Sequence, residues 1–200
     1  MPELIAILRG ITTDESLEIV ESLVEAGITK IEVPLNSPSP FKTIEHIQKA
    51  YGDDALIGAG TVLSISEVNE LDRIGARLIV SPNCNSDVIR RSKELGMFSY
   101  PGVYTATECF SALDAGADGL KFFPASTLGI DGLKALKAVL PIDTPTYAVG
   151  GVDLPDFEKW LSAGITGFGI GSSLYKPGRS ASEVYAIASN MVAEFNRVSK

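Results

Sequence analysis

Short apolar runs alternate with longer amphipathic stretches along the whole chain, and a glycine marks most of the junctions. Ala26-Gly27 precedes the run Ile31 to Val33, and Ile74-Gly75 precedes Leu78 to Val80. Tyr51-Gly52, Leu95-Gly96, Ala115-Gly116 and Ala163-Gly164 occupy matching places. From Gly27 to Gly116 these glycines recur every 20 to 25 residues, and the 48 residues between Gly116 and Gly164 hold two further units divided at Pro141. Each unit accommodates one strand and one helix, with glycine as the left-handed cap that ends the helix.

The pattern predicts strands over 4–8, 29–33, 55–59, 78–81, 97–101, 118–123, 145–149 and 167–171. Helices are predicted over 14–26, 41–51, 66–75, 86–95, 107–115, 130–139, 154–163 and 180–197, with Thr13-Asp14, Ser66 and Ser86 as expected caps. Strands alternating with helices imply a parallel sheet. Eight complete units with no strand left over predict an α/β fold closed into a (β/α)8 TIM barrel, one domain over 1–200. The competing architecture, an open doubly wound sheet, calls for a phosphate fingerprint in its first turn. Leu8-Arg9-Gly10-Ile11-Thr12 is neither G-x-G-x-x-G nor a P-loop.

Composition narrows the chemistry. The 200 residues are 45% hydrophobic and carry 17 basic against 25 acidic side chains, a net charge of −8. Such a chain buries a core and offers no basic surface for nucleic acid. Two cysteines, Cys84 and Cys109, make no disulfide framework, and a single histidine, His46, disfavours histidine-based metal sites. Met1-Pro2-Glu3 and the apolar run after it lack the marks of a secretory signal, so a cytoplasmic protein is expected. No apolar stretch is long enough to span a membrane, and no membrane partner is expected. Glu15, Glu18, Glu21 and Glu25 recur at helical spacing as a solvated acidic face, and His46 receives no role.

In a barrel of this kind the chemistry sits at the carboxyl ends of the strands. Those ends carry Arg9, Glu32, Gly60-Thr61, Pro82, Pro101-Gly102, Lys121, Gly150-Gly151 and Gly171-Ser172-Ser173. Alternation along Lys30-Ile31-Glu32-Val33 turns Ile31 and Val33 toward the helices and Glu32 toward the barrel axis. The same argument turns Leu120 and Phe122 outward and Lys121 inward. A desolvated lysine loses proton affinity and becomes an amine able to attack carbonyls. The other reading of the two charges is a buried structural ion pair. Arg9 offers a planar fork for a carboxylate, or else pairs with a surface acid. Thr61 can hydrogen-bond the same ligand, or simply turn the chain. Paired glycines after the last two strands expose backbone N–H groups where such barrels bind phosphate, unless they serve only tight turns.

These residues resemble a known family. Ile5-Ala6-Ile7-Leu8-Arg9-Gly10-Ile11, Glu32-Val33-Pro34-Leu35-Asn36-Ser37-Pro38, Gly58-Ala59-Gly60-Thr61-Val62-Leu63, Leu120-Lys121-Phe122-Phe123-Pro124, Ala148-Val149-Gly150-Gly151-Val152 and Gly169-Ile170-Gly171-Ser172 are similar to segments of the 2-keto-3-deoxy-6-phosphogluconate and 2-keto-3-deoxy-6-phosphogalactonate aldolases. The resemblance covers essentially the whole chain. It implies a class I aldolase on a (β/α)8 barrel, with Lys121 as the Schiff-base lysine and Glu32 as the general acid/base. It further implies Arg9 and Thr61 at the pyruvyl end, Pro82 lining the site, and Gly150, Gly151, Gly171 and Ser172 around the phosphate.

The gluconate branch usually has Thr and Arg where this chain has Pro34 and Asn36, and Thr where it has Val149. The resemblance is therefore to the galactonate branch, whose substrate differs in configuration at C4, and Val149 becomes a candidate discriminator between the epimers. Cleavage to pyruvate and glyceraldehyde 3-phosphate then needs no metal or organic cofactor, and the resemblance implies a homotrimer. Substrate alternatives within the family are 2-keto-3-deoxy-6-phosphogluconate and 2-keto-4-hydroxyglutarate. Outside it stand a phosphosugar isomerase working by non-covalent proton transfer and a barrel kept only for binding or assembly.

Overall fold

The computed structural model describes residues 3–199. Nine strand segments form one parallel sheet: β1 (Leu4–Ile7), β2 (Lys30–Pro34), β3 (Leu56–Gly60), β4 (Leu78–Val80), β5 (Phe98–Tyr100), β6 (Gly102–Val103), β7 (Leu120–Phe122), β8 (Thr146–Val149) and β9 (Gly167–Ile170). Eight helices alternate with them: α1 (Ser16–Glu25), α2 (Pro40–Tyr51), α3 (Ile65–Arg73), α4 (Ser86–Glu94), α5 (Ala106–Asp114), α6 (Ala125–Lys137), α7 (Phe157–Ser162) and α8 (Ala181–Val198).

The hydrogen-bonded order runs β5-β4-β3-β2-β1-β9-β8-β7-β6. Its two ends, β5 and β6, are halves of one strand on either side of Pro101. Proline has no N–H to give to a ladder, so the strand expected over 97–101 breaks there. Its first half pairs with β4 and its second with β7, and the barrel closes through the proline. Ile5 of β1 lies beside Gly169 of β9, which brings the two ends of the chain's strand series together. The expected (β/α)8 architecture is the one observed.

Two apolar layers hold it. The larger packs the outer faces of the strands against the helices and includes Ile31, Val33, Leu120 and Phe122, each fully buried. The smaller fills the barrel itself with Ile5, Ile7, Leu78, Val80, Tyr100, Tyr147 and Val149. At the amino ends of the strands Lys30 donates to Glu3 and to the Tyr147 hydroxyl (3.3 Å), and Tyr147 donates to Glu3 (2.7 Å). This bonded cluster closes the floor of the barrel, since charges survive half-buried only when partnered.

Several boundaries differ from the sequence expectation. The caps of α3 and α4 are Ser64, in a reciprocal box with Glu67, and Asn85, which accepts from Asp87 and Val88; the expected Ser66 and Ser86 lie inside those helices. Capping needs an extended backbone before the first turn, and Ser64, at φ −140° and ψ 154°, supplies it. The first helix begins at Ser16 and has no side-chain cap, so Thr13-Asp14 does not serve as one. The sixth begins at Ala125, not 130, because a helical turn leads to a break at Gly129 (φ +70°) before the expected segment.

Candidate active site

A cavity of about 860 Å³ opens at the carboxyl ends of the strands. Arg9, Glu32, Thr61, Pro82, Lys121, Val149, Gly150, Gly151, Gly171 and Ser172, drawn from seven separate strand ends, all line it.

Glu32 lies near the middle of β2, and its inward carboxyl group has a slot in the neighbouring strand. A methyl group at Gly60 would stand 2.1 Å from Glu32 Oε2. Glycine at 60 is therefore what admits the carboxylate. Glu32 is 2% exposed and its Oε2 has no hydrogen-bond partner. Burial raises its pKa to about 7, against the pull of the Lys121 and Arg9 charges.

Lys121, on β7, is 8% exposed. Burial pushes its pKa down, the charge on Glu32 opposes this, and Arg9 reinforces it. The two groups feel each other's charge but form neither a hydrogen bond nor an ion pair. The structural ion pair is thus not what the barrel holds. The Lys121 Nζ instead lies 5.0 Å from the centroid of the Phe123 ring, an apolar neighbour that helps keep water away. Beneath both groups the lining is Ile5, Ile7, Val80 and Val149, together with the rings of Tyr100 and Tyr147.

Arg9 extends at the rim, and its Nη1 donates to Asn36 Oδ1 at 2.5 Å. Its partner is a neutral carboxamide and not the surface acid that the alternative reading expected. The next residue, Gly10, donates its backbone N–H to Ser37 Oγ at 2.9 Å, so the β2–α2 loop grips the β1–α1 turn twice. Thr61 has φ +59°, the left-handed region that a β-branched residue rarely enters. The loop is held there by Val62, whose carbonyl accepts from the buried Ser81 hydroxyl at 2.7 Å. Backbone strain kept at a cavity rim marks a position whose geometry matters.

Gly150 (φ +90°) and Gly151 (φ +72°) have no room for a side chain: a Cβ would meet the Phe123 ring at 3.1 Å and Ser126 Oγ at 2.4 Å respectively. Arg179 braces the facing loop by donating to the Ser173 carbonyl at 2.7 Å. Lys176, exposed and without an ion-pair partner among the described residues, also lines the cavity. Sequence alone placed Gly60, Phe123 and Asn36 within motifs but gave them no role at the site, and it did not single out Lys176. Lys176 follows four residues after Ser172, and proximity along the chain was its only signal. The slot at Gly60 and the bond to Asn36 depend on which strands are neighbours.

His46 is exposed on α2, away from the cavity. Among the described residues no cluster of His, Cys, Asp or Glu is arranged to hold a metal. Neither cysteine lines the cavity, and burial pushes the Cys109 thiol up to about 11 and Cys84 upward as well. Cysteine-based proton transfer, one route open to the isomerase reading, has no candidate here.

Comparison with known proteins supplies the family. The family model described as KDPG and KHG aldolase matches residues 2–188. A 2-dehydro-3-deoxy-6-phosphogalactonate aldolase of Escherichia coli (strain K12) is 54% identical over 177 residues, 88% of this chain and 86% of the relative. A probable 2-dehydro-3-deoxy-6-phosphogalactonate aldolase of Rhizobium meliloti (strain 1021) is 50% identical over 195 residues, 98% of this chain and 92% of the relative. A solved structure described as "Native KDPGal structure" superposes with a TM-score of 0.96 at 50% identity, covering 98% of this chain and 95% of that one.

Proposed function

The chain belongs to the KDPG and KHG aldolase family, and from that premise we infer that it is a class I aldolase cleaving 2-keto-3-deoxy-6-phosphogalactonate to pyruvate and D-glyceraldehyde 3-phosphate. The observation that carries the reading is a desolvated, unpaired Lys121 amine sharing one cavity with a buried carboxyl group poised near pH 7.

The residues divide the work as follows. Neutral Lys121 attacks the C2 carbonyl to give a carbinolamine, and Glu32 in its acid form protonates the departing hydroxyl, so water leaves and an iminium remains. Glu32, now a carboxylate, removes the proton of the C4 hydroxyl. The C3–C4 bonding pair moves into the iminium, glyceraldehyde 3-phosphate departs, and an enamine is left. Glu32 returns its proton to C3, and hydrolysis frees pyruvate and the lysine. A carboxyl with a pKa near 7 populates both forms at neutral pH, which this alternation of roles requires.

Arg9 and Thr61 are placed to hold the keto-acid carboxylate, with Pro82 as an apolar wall. Backbone N–H groups around Gly150, Gly151, Gly171 and Ser172, helped by the Lys176 ammonium, receive the phosphate. Val149 presents methyl groups where a hydroxyl would favour one C4 epimer. The chain then acts as one aldolase domain over 1–200, in the cytoplasm and as a homotrimer. The apolar surface that Leu63, Ile65, Tyr104 and Phe110 expose supports assembly, and sedimentation mass tests it.

Incubation with pyruvate and borohydride, followed by intact-mass and peptide mapping, tests the chemistry. A reduced pyruvyl adduct on Lys121, absent from Lys121→Ala, is the expected result. An adduct elsewhere, or none while pyruvate still binds, would reject the mechanism.

A further inference from the structure

Arg9 lines the cavity, and its role depends on where its side chain points. It is exposed, its stem is long and flexible, and left alone its guanidinium would sample many positions. The structure restrains it with one side-chain partner, the Asn36 carboxamide oxygen at 2.5 Å, contributed by the neighbouring β2–α2 loop. That loop is itself registered against the turn holding Arg9. Buried Ser37, one residue along, accepts the Gly10 N–H at 2.9 Å, and Gly10 holds φ +84° with the Pro177 ring filling the space that a Cβ would need.

The chemistry of the partner matters as much as its position. A carboxylate at 36 would restrain Arg9 equally well and cancel its charge. A carboxamide accepts one N–H bond and leaves the positive charge undiminished, with the remaining guanidinium donors free for a ligand. That charge reaches into the cavity, where it acts on both Glu32 and Lys121.

We propose that Asn36 is the positioning residue for Arg9: a neutral acceptor that orients the guanidinium toward the keto-acid carboxylate without neutralising it. The inference rests on the reading of Arg9 as the carboxylate contact. It also makes residue 36 a control on keto-acid affinity, separate from the chemistry at Lys121 and Glu32.

The test is a double-mutant cycle on Arg9 and Asn36, read as the pyruvate concentration that half-saturates borohydride trapping and as KM and kcat in the cleavage direction. Asn36→Ala is expected to raise half-saturation about fivefold with kcat within twofold, the scale of one ordinary net hydrogen bond. In an Arg9→Ala background the same substitution changes nothing further. Asn36→Asp keeps the acceptor but adds a charge, so it raises half-saturation about tenfold at low salt, more than alanine does, and the excess shrinks as salt is added. If Asn36→Ala acts equally in both backgrounds, or if Asn36→Asp matches the wild type, the proposal is overturned while Arg9 keeps its assignment. If Arg9→Ala itself leaves half-saturation unchanged, the carboxylate reading of Arg9 fails first and the role of Asn36 falls with it.

Discussion

Gly60→Ala tests whether the position of the Glu32 carboxylate sets the rate. The added methyl would stand 2.1 Å from Oε2, 2.3 Å from the carboxyl carbon and 2.4 Å from Oε1, whereas ordinary contact begins at 3.4 Å. The carboxylate must therefore retreat by about 1.3 Å or the strand must yield. The strand has little freedom, because Gly60 sits in the ladder opposite Pro34 and its carbonyl accepts from the Leu35 N–H at 2.8 Å. A misplacement of about 1 Å at a reacting group costs roughly a hundredfold in rate, and overpacking a buried site costs about 1–3 kcal/mol of stability. Steady-state release of pyruvate at 25 °C should thus show kcat down by about 10²-fold, in a protein whose thermal midpoint confirms that it is folded. Gly171→Ala serves as the contrast: its Cβ would have no neighbour nearer than Ile7 at 4.0 Å, so turnover of an unphosphorylated keto acid should persist. A folded Gly60→Ala enzyme with kcat within threefold of the wild type would refute the claim that this slot positions the acid/base.

Glu32→Gln should lose most activity yet gain stability above neutrality. The unfolded chain releases this proton near 4.5 and the folded one near 7, so the cost of ionising Glu32 is absent below pH 4.5, grows between the two values and is full above 7. The shift is worth about 3 kcal/mol, so scanning calorimetry should find the variant melting roughly 6–12 °C higher at pH 8.5 and level with the wild type near pH 4. Equal differences at both pH values would contradict the buried-charge account. Val149→Thr should move the kcat/KM ratio between the two C4 epimers about tenfold toward the gluconate form; paired-substrate kinetics with no change in ratio would remove Val149 as a discriminator. Lys176→Met should raise KM for the phosphorylated substrate about fivefold at low salt, fading at high salt, and leave 2-keto-4-hydroxyglutarate unaffected. Equal effects on both substrates would place Lys176 away from the phosphate.

What the chain determines locally could be read from its sequence. Strand alternation puts Glu32 and Lys121 inside, the glycine period counts eight units, and the barrel rule then places Arg9, Thr61 and the paired glycines at one rim. Each of these follows from order along the chain alone, either a residue's immediate neighbours or the spacing at which a pattern recurs. Helix starts were less legible, because Ser66 and Ser86 resemble caps as much as Ser64 and Asn85 do, and only backbone conformation separates them. Tertiary structure alone decided the rest. The Gly60 slot exists because β3 lies beside β2, and the Arg9–Asn36 bond spans 27 positions. The Tyr147–Glu3 contact spans 144 and requires the barrel to be closed. Whether Glu32 and Lys121 form an ion pair depended on whether they touch, and they do not. Residue order specifies which groups face inward, but the distance between two inward groups is set only when closure and packing place their strands.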